Sequence, residues 1–147
     1  MKGIVRFPIS ILVLSTLVWF TACESTLSGT KKEAVLAFSE PAVDNLLAGF
    51  TANDYAAFSR DFDSDMYERV PATDFAAWKQ EMDNKFGNYL SRNVDRVTRS
   101  QEFNVVFYQA RFEMEKQVTV MVAFHASDHS IAALSFESEK YSWSAWE

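Results

Sequence analysis

The feature that most constrains this chain is a change of hydrophobic period at Gly87–Asn88. Before it, apolar residues recur at three- and four-residue intervals: Val35, Phe38, Ala42, Leu46 and Phe50 form one set, and Phe75, Trp78, Met82 and Phe86 another. That spacing puts each set on one face of a helix. After it, alternation takes over. Phe103 to Met114 and Gln117 to Ala126 read as strands, with Val118, Val120, Val122 and Phe124 on a shared face. Ser127 to Ser130 supplies turn residues, Ile131 to Glu137 returns as a strand, and residues 141 to 146 extend the sheet. Residues 89 to 99 alternate poorly and carry Arg92, Arg96 and Arg99, as an exposed edge strand does. Helices first and an antiparallel meander afterwards predict an α+β fold, with N-terminal helices packed on one face of a curved antiparallel sheet.

Local signals set the expected boundaries. Thr30 and Glu33 have the spacing of a capping box for the first helix. Pro41 lies within that helix and predicts a kink or break, because it has no N–H to donate. Asn53 is placed to cap a short second helix reaching about Phe62, with an irregular stretch closed by Pro71 behind it. Thr73 is placed to cap the next helix, which Gly87 ends. No internal repeat and no second domain is visible.

The first residues have a different character. Lys2 and Arg6 precede an apolar run from Phe7 to Phe20, then Thr21, Ala22 and Cys23, the one cysteine in the chain. This is the layout of a secretory signal, and it resembles the lipobox of prokaryotic lipoproteins. The resemblance implies cleavage after Ala22 and a diacylglycerol thioether on Cys23. Phe20 stands where an aliphatic residue is usual, which keeps an uncleaved membrane segment as the alternative, although the run is shorter than the roughly 20 residues of a span. The implied organisation is a signal peptide over 1–22, a lipidated cysteine and linker over 23–30, and a single α+β domain over 31–147. The implied location is the extracytoplasmic side of the cell membrane, with the membrane itself as a partner through the lipid anchor. A linker from Glu24 to Gly29 would reach roughly 20 Å when extended.

Composition narrows the partners. The net charge is -6, and the signal would take two cations with it. Such an acidic domain has no overall attraction for nucleic acid or anionic lipid. Thirteen phenylalanines against four glycines and three prolines specify a packed core. With its one cysteine committed to lipid, the chain forms no internal disulfide.

A second resemblance covers about residues 33 to 137. Asp44-Asn45-Leu46-Leu47, Asn53 to Phe58, Phe75 to Trp78, Phe86-Gly87-Asn88-Tyr89 and Asn104 to Tyr108 are similar to a family of secreted domains of unknown function in the nuclear-transport-factor-2-like superfamily. The resemblance implies a cone-shaped α+β fold, and a homodimer in the manner of many of its members. Its motifs are packing and turn residues, so it informs fold more than chemistry.

Candidate chemistry is sparse. Asp61-Phe62-Asp63-Ser64-Asp65 has the spacing that opens a calcium loop, but Met66 and Ala72 occupy the positions of the required Gly and Glu. It reads as a solvated acidic connection. His125 and His129 straddle a hairpin turn where their rings need not converge, and no thiolate can join them, so no metal site is predicted. No nucleophile elbow and no phosphate loop is present. Tyr55, Tyr108, Arg111 and His125 are the candidate polar groups of a cone pocket, with Asp54 nearby in sequence. Each also has a structural reading: Tyr55 and Tyr108 as core rims, Asp54 in a helix first turn, and Arg111 and His125 on the outer sheet face. The Tyr141 to Trp146 tail reads as a last strand packed on the sheet. The expected function is a non-catalytic binding or accessory lipoprotein for a small apolar ligand or a protein partner, without a cofactor. The alternative is a small enzyme with Asp, Tyr and His as proton carriers.

Overall fold

A computed structural model describes residues 24–145. Cys23, the segment before it and Trp146 lie outside the described residues, so the signal and the lipidation of Cys23 do too. The helices come first: α1 (Gly29–Ala52), α2 (Tyr55–Ser59), α3 (Ser64–Arg69) and α4 (Ala72–Phe86). A two-residue strand, β1 (Ser25–Thr26), precedes them, and β2 (Tyr89–Arg99), β3 (Phe103–Phe112), β4 (Val118–His125), β5 (Ile131–Glu137) and β6 (Ser142–Ser144) follow. All six strands form one open antiparallel sheet in the order β1-β2-β3-β4-β5-β6. The α+β class and the order of helices before meander are as the sequence predicts.

One face of the sheet carries the core. Val118, Val120, Val122 and Phe124 of β4 are fully buried, as are Val106, Tyr108, Ala110 and Phe112 of β3. The helices cover that face through aromatic contacts. Phe38 meets Phe124 edge-on, Phe50 lies against Phe136, and Phe86 against Phe112. Trp78 of α4 packs on Trp143 of β6 with ring centroids 4.4 Å apart. Such pairs add to the area they bury, and the pairing of Ser142–Ser144 with β5 makes that segment the last strand.

Local expectations at the helix ends and at Pro41 are corrected. α1 begins at Gly29 with Ser28 as its N-cap, so Thr30 and Glu33 lie inside the helix and form no capping box. Pro41 does not break α1, which continues to Ala52. Asn53 does not cap α2; it terminates α1 in the left-handed conformation (φ 55°), and the Asp54 carboxylate caps α2 by accepting from Ala57 N–H. Asp54 thus precedes the first turn that the sequence assigned to it. Thr73 lies within α4, whose N-cap is Pro71, and the stretch before Pro71 contains α3.

The largest difference is at the N-terminus. Residues 24–29 form no free linker: Ser25 and Thr26 pair with Arg99 and Thr98, and Leu27 enters the core. The sheet therefore reaches to within two residues of Cys23. Gly49 sets how α1 meets α2, because a Cβ there would lie 2.2 Å from the Phe58 backbone nitrogen. Register shifts near Ser91, Arg96 and Phe124 mark bulges in β2 and between β4 and β5, the usual means of bending a sheet. Among the described residues, no helix is long and apolar enough to cross a membrane.

Candidate functional site

The sheet face away from α1 and α4 is formed by the alternate residues of the same strands. At the end where β3 begins and β4 finishes, Phe103, Val105, Ala123 and Ala133 give this face an apolar floor. The connection between α2 and α3 crosses beside it. Phe62 bridges to Ile131, Asp63 N–H donates to the Ile131 carbonyl, and Ile131 N–H donates to the Asp61 carbonyl. These bonds hold α3 against the start of β5. A cleft of about 470 Å³ opens between α3 and the floor, with Glu24, Asp63, Asp65, Arg69, Ser100 and His125 as its polar wall.

Asp63 is the centre of that wall. Its Oδ1 accepts from Met66 N–H at 2.7 Å and so caps α3, and its Oδ2 accepts from His125 Nε2–H at 2.9 Å. The His125 ring also packs on Phe103, its partner across the β3–β4 register, at 5.1 Å between centroids. A neutral imidazole that donates through Nε2 has Nδ1 as an acceptor. Among the described residues Nδ1 has no hydrogen-bond partner. Arg69 donates to the carbonyls of Ala145 and Ala132, tying α3 to the last strands, and lies 4.0 Å from Asp65. The acidic run is therefore an anchored structural connection and a site wall, more than the solvated connection its composition suggested.

Of the four candidate pocket groups, His125 alone lines this cleft. Tyr55 donates its hydroxyl to the Val70 carbonyl at 2.8 Å and joins α2 to the end of α3; partial burial raises its phenol above the usual range. Tyr108 is buried on the helix face, where its hydroxyl donates to Glu40 at 2.7 Å. Burial first, and then the hydrogen bond and charge of Glu40, push that phenol far above its ordinary range. Arg92 completes the cluster, donating to Glu40 and Asp44 and lying over the Tyr108 ring. Arg111 is exposed on the outer face opposite Ser91. The four residues do not converge.

The two histidines part company as well. His125 faces Asp63 on the outer side, whereas His129, at φ 65°, stacks flat on Phe38 of α1. Among the described residues no group of three His, Cys, Asp or Glu is placed to hold a metal ion. Within the cleft, the Ser100 hydroxyl accepts from Phe103 N–H and is not directed at His125. The arrangement can orient a histidine and receive an apolar body beside it, without a nucleophile on that ring.

No family model, curated protein or solved structure matches the chain. The site must be read on its own residues. In the sequence Asp63 stood out only as part of the acidic run; its pairing with His125 was not legible because the two lie 62 positions apart, and its local signal was that of a capping residue ahead of Met66.

Proposed function

We propose that this protein is a lipid-anchored, extracytoplasmic binding protein of nuclear-transport-factor-2-like architecture, and that the outer cleft receives a small amphiphile. The ligand's apolar part lies on Phe103, Val105, Ala123 and Ala133, and its polar end meets the Asp63–His125 pair. The observation that carries this reading is the position of Glu24: it stands in the cleft wall and is bonded directly to Cys23. Consecutive Cα atoms are about 3.8 Å apart, so a lipid on Cys23 would hold the cleft at the membrane surface without a spacer. Two or more acyl chains give stable anchoring, and a cleft held there meets membrane amphiphiles before soluble ones. The helix layer, the bulged antiparallel meander and their order support the cone architecture.

Native mass spectrometry of the protein purified from its own cells tests the reading. A retained small molecule is expected, and it should be lost when Ala123→Trp fills the floor of the cleft. A ligand-free protein, or a ligand retained equally by Ala123→Trp, would refute the binding assignment. Cys23→Ala should move the protein from the membrane to the soluble fraction; unchanged attachment would favour the uncleaved segment.

A second reading rests on the orientation of His125 by Asp63, which is the orienting half of an acid–base pair. In that case the same cleft turns over its ligand. Conversion of the retained molecule by wild-type protein and not by His125→Gln would favour it.

A further inference from the structure

A second cleft, of about 410 Å³, lies at the same end of the sheet but on the helix-bearing side. Its charge is opposite to that of the chain. Lys31, in the first turn of α1, and Arg99, at the end of β2, both line it, and its lining contains no carboxylate. Neither cation makes an ion pair among the described residues. Two unneutralised cations lining one cleft of a chain of net charge -6 favour an anion there.

The backbone contributes in the same direction. α1 is 24 residues long, its N-cap Ser28 makes no side-chain cap bond, and its first turn holds no acidic residue. The N–H groups of that turn have no intrahelical acceptor and carry the positive end of the helix dipole.

Asn104 supplies an independent observation. It ends the inward stripe of β3 that continues as Val106 and Tyr108, and it is 3% exposed. Its Oδ1 is buried without a hydrogen-bond partner, and its side chain lines this cleft. Buried polar groups in folded proteins are nearly always satisfied. The unsatisfied amide stands in the wall of the cationic cleft, where a turn of its side chain would bring it to a bound group.

The geometry points to a binding site for a phosphate group, as inorganic phosphate or a phosphomonoester, at Lys31, Arg99, Asn104 and the first turn of α1. Phosphate fits this set better than a simple carboxylate. Its unprotonated oxygens accept from the two cations and from backbone N–H groups. A hydrogen phosphate also keeps an O–H, which satisfies Asn104 Oδ1, while an ester oxygen or a second acceptor satisfies the amide N–H₂ if the amide turns over. The stacked pair of Phe38 and His129 forms an aromatic wall beside the site. The site is separate from the outer cleft and does not depend on its ligand. Ser25 pairs with Arg99, so the site also lies where the chain leads back to Cys23, and the phosphate can belong to a lipid headgroup or to a soluble molecule.

The test is a titration of the full chain, purified in non-ionic detergent, with inorganic phosphate at constant ionic strength, followed by calorimetry and by the unfolding temperature. Saturable binding in the millimolar range is expected, with a rise of a few degrees at about tenfold excess over Kd. Arg99→Gln and Lys31→Gln, both at exposed positions, should each weaken binding about tenfold, as loss of a charge-assisted contact does. The double variant should show no saturation while keeping the wild-type unfolding temperature without phosphate. Asn104→Asp, which sets a carboxylate against the oxyanion, should also abolish binding. Micelles doped with phosphatidic acid separate the sources: displacement of inorganic phosphate assigns the site to a headgroup, and undiminished phosphate binding assigns it to a soluble phosphate. Absence of saturable phosphate binding to the wild type, or equal binding by the double variant, would overturn the assignment.

Discussion

Asp63→Ala removes two interactions at once, and their sizes follow from the geometry. The first is the N-cap of α3, accepted by Oδ1 at 2.7 Å, worth about 1 kcal/mol. The second is the bond from His125 to Oδ2 at 2.9 Å, between side chains 16% and 34% exposed. A hydrogen bond to a charged group contributes about 1.5–3 kcal/mol when buried, and partial exposure places this one near about 1.5. Asp63→Ala should therefore cost about 2.5 kcal/mol, or about 10 °C in unfolding temperature for a domain of this size. Asp63→Asn keeps an oxygen for Met66 N–H and should cost about 1 kcal/mol. Urea unfolding of wild type, Asp63→Ala, His125→Ala and the double variant closes a thermodynamic cycle. The coupling energy should be about 1.5 kcal/mol, since each single variant already removes the shared bond. A coupling of a few tenths or less would show that Asp63 acts as a helix cap alone. The case for an oriented histidine in the cleft would then fail.

Gly49→Ala should be among the most damaging single-methyl changes, because its Cβ would meet the Phe58 and Ala57 backbone at 2.2 to 2.8 Å. A loss above about 3 kcal/mol is expected from overpacking against main chain. Gly29→Ala meets nothing within 4 Å and bears only its positive φ, so a cost near about 1 kcal/mol is expected; unfolding temperatures should separate the two clearly. Tyr108→Phe should cost about 1.5 kcal/mol, because Glu40 loses one donor and keeps Arg92. The Tyr108 phenol is raised in the folded state, so its stabilising effect is full below the ordinary tyrosine range near 10 and is lost as pH climbs above it. Ultraviolet titration should accordingly show one of the five tyrosines ionising only as the fold is lost, and Tyr108→Phe should remove that late step; an early, reversible titration of all five would contradict the buried pairing. Arg92→Met should cost about 1–2 kcal/mol, since it leaves Glu40 and Asp44 without their cation but both remain partly in water.

The elements were legible wherever a local pattern had a single solution. Phe75, Trp78, Met82 and Phe86 could share a face only on a helix, and Val118, Val120, Val122 and Phe124 only on a strand; all but Trp78 are buried in the core, and Trp78 packs against it. The ends were less legible, because several residues near each boundary can cap. Thr30, Asn53 and Thr73 are all competent caps by type, and the chain used Ser28, Asp54 and Pro71 instead. Which residue caps depends on where packing starts the helix.

What the sequence determined by itself was the succession of periods, and with it the α+β class and the helix layer over a meander. Those properties follow from contacts between residues two to four positions apart. Only the tertiary structure decided that Glu24 to Leu27 joins the sheet instead of forming a linker, since the deciding partners, Val97 to Arg99, lie seventy or more residues away. It decided equally that His125 meets Asp63 on one side of the sheet while His129 stacks on Phe38 on the other. The site rests on pairings of distant residues, whose cost in chain entropy is offset by the whole core and by no local pattern.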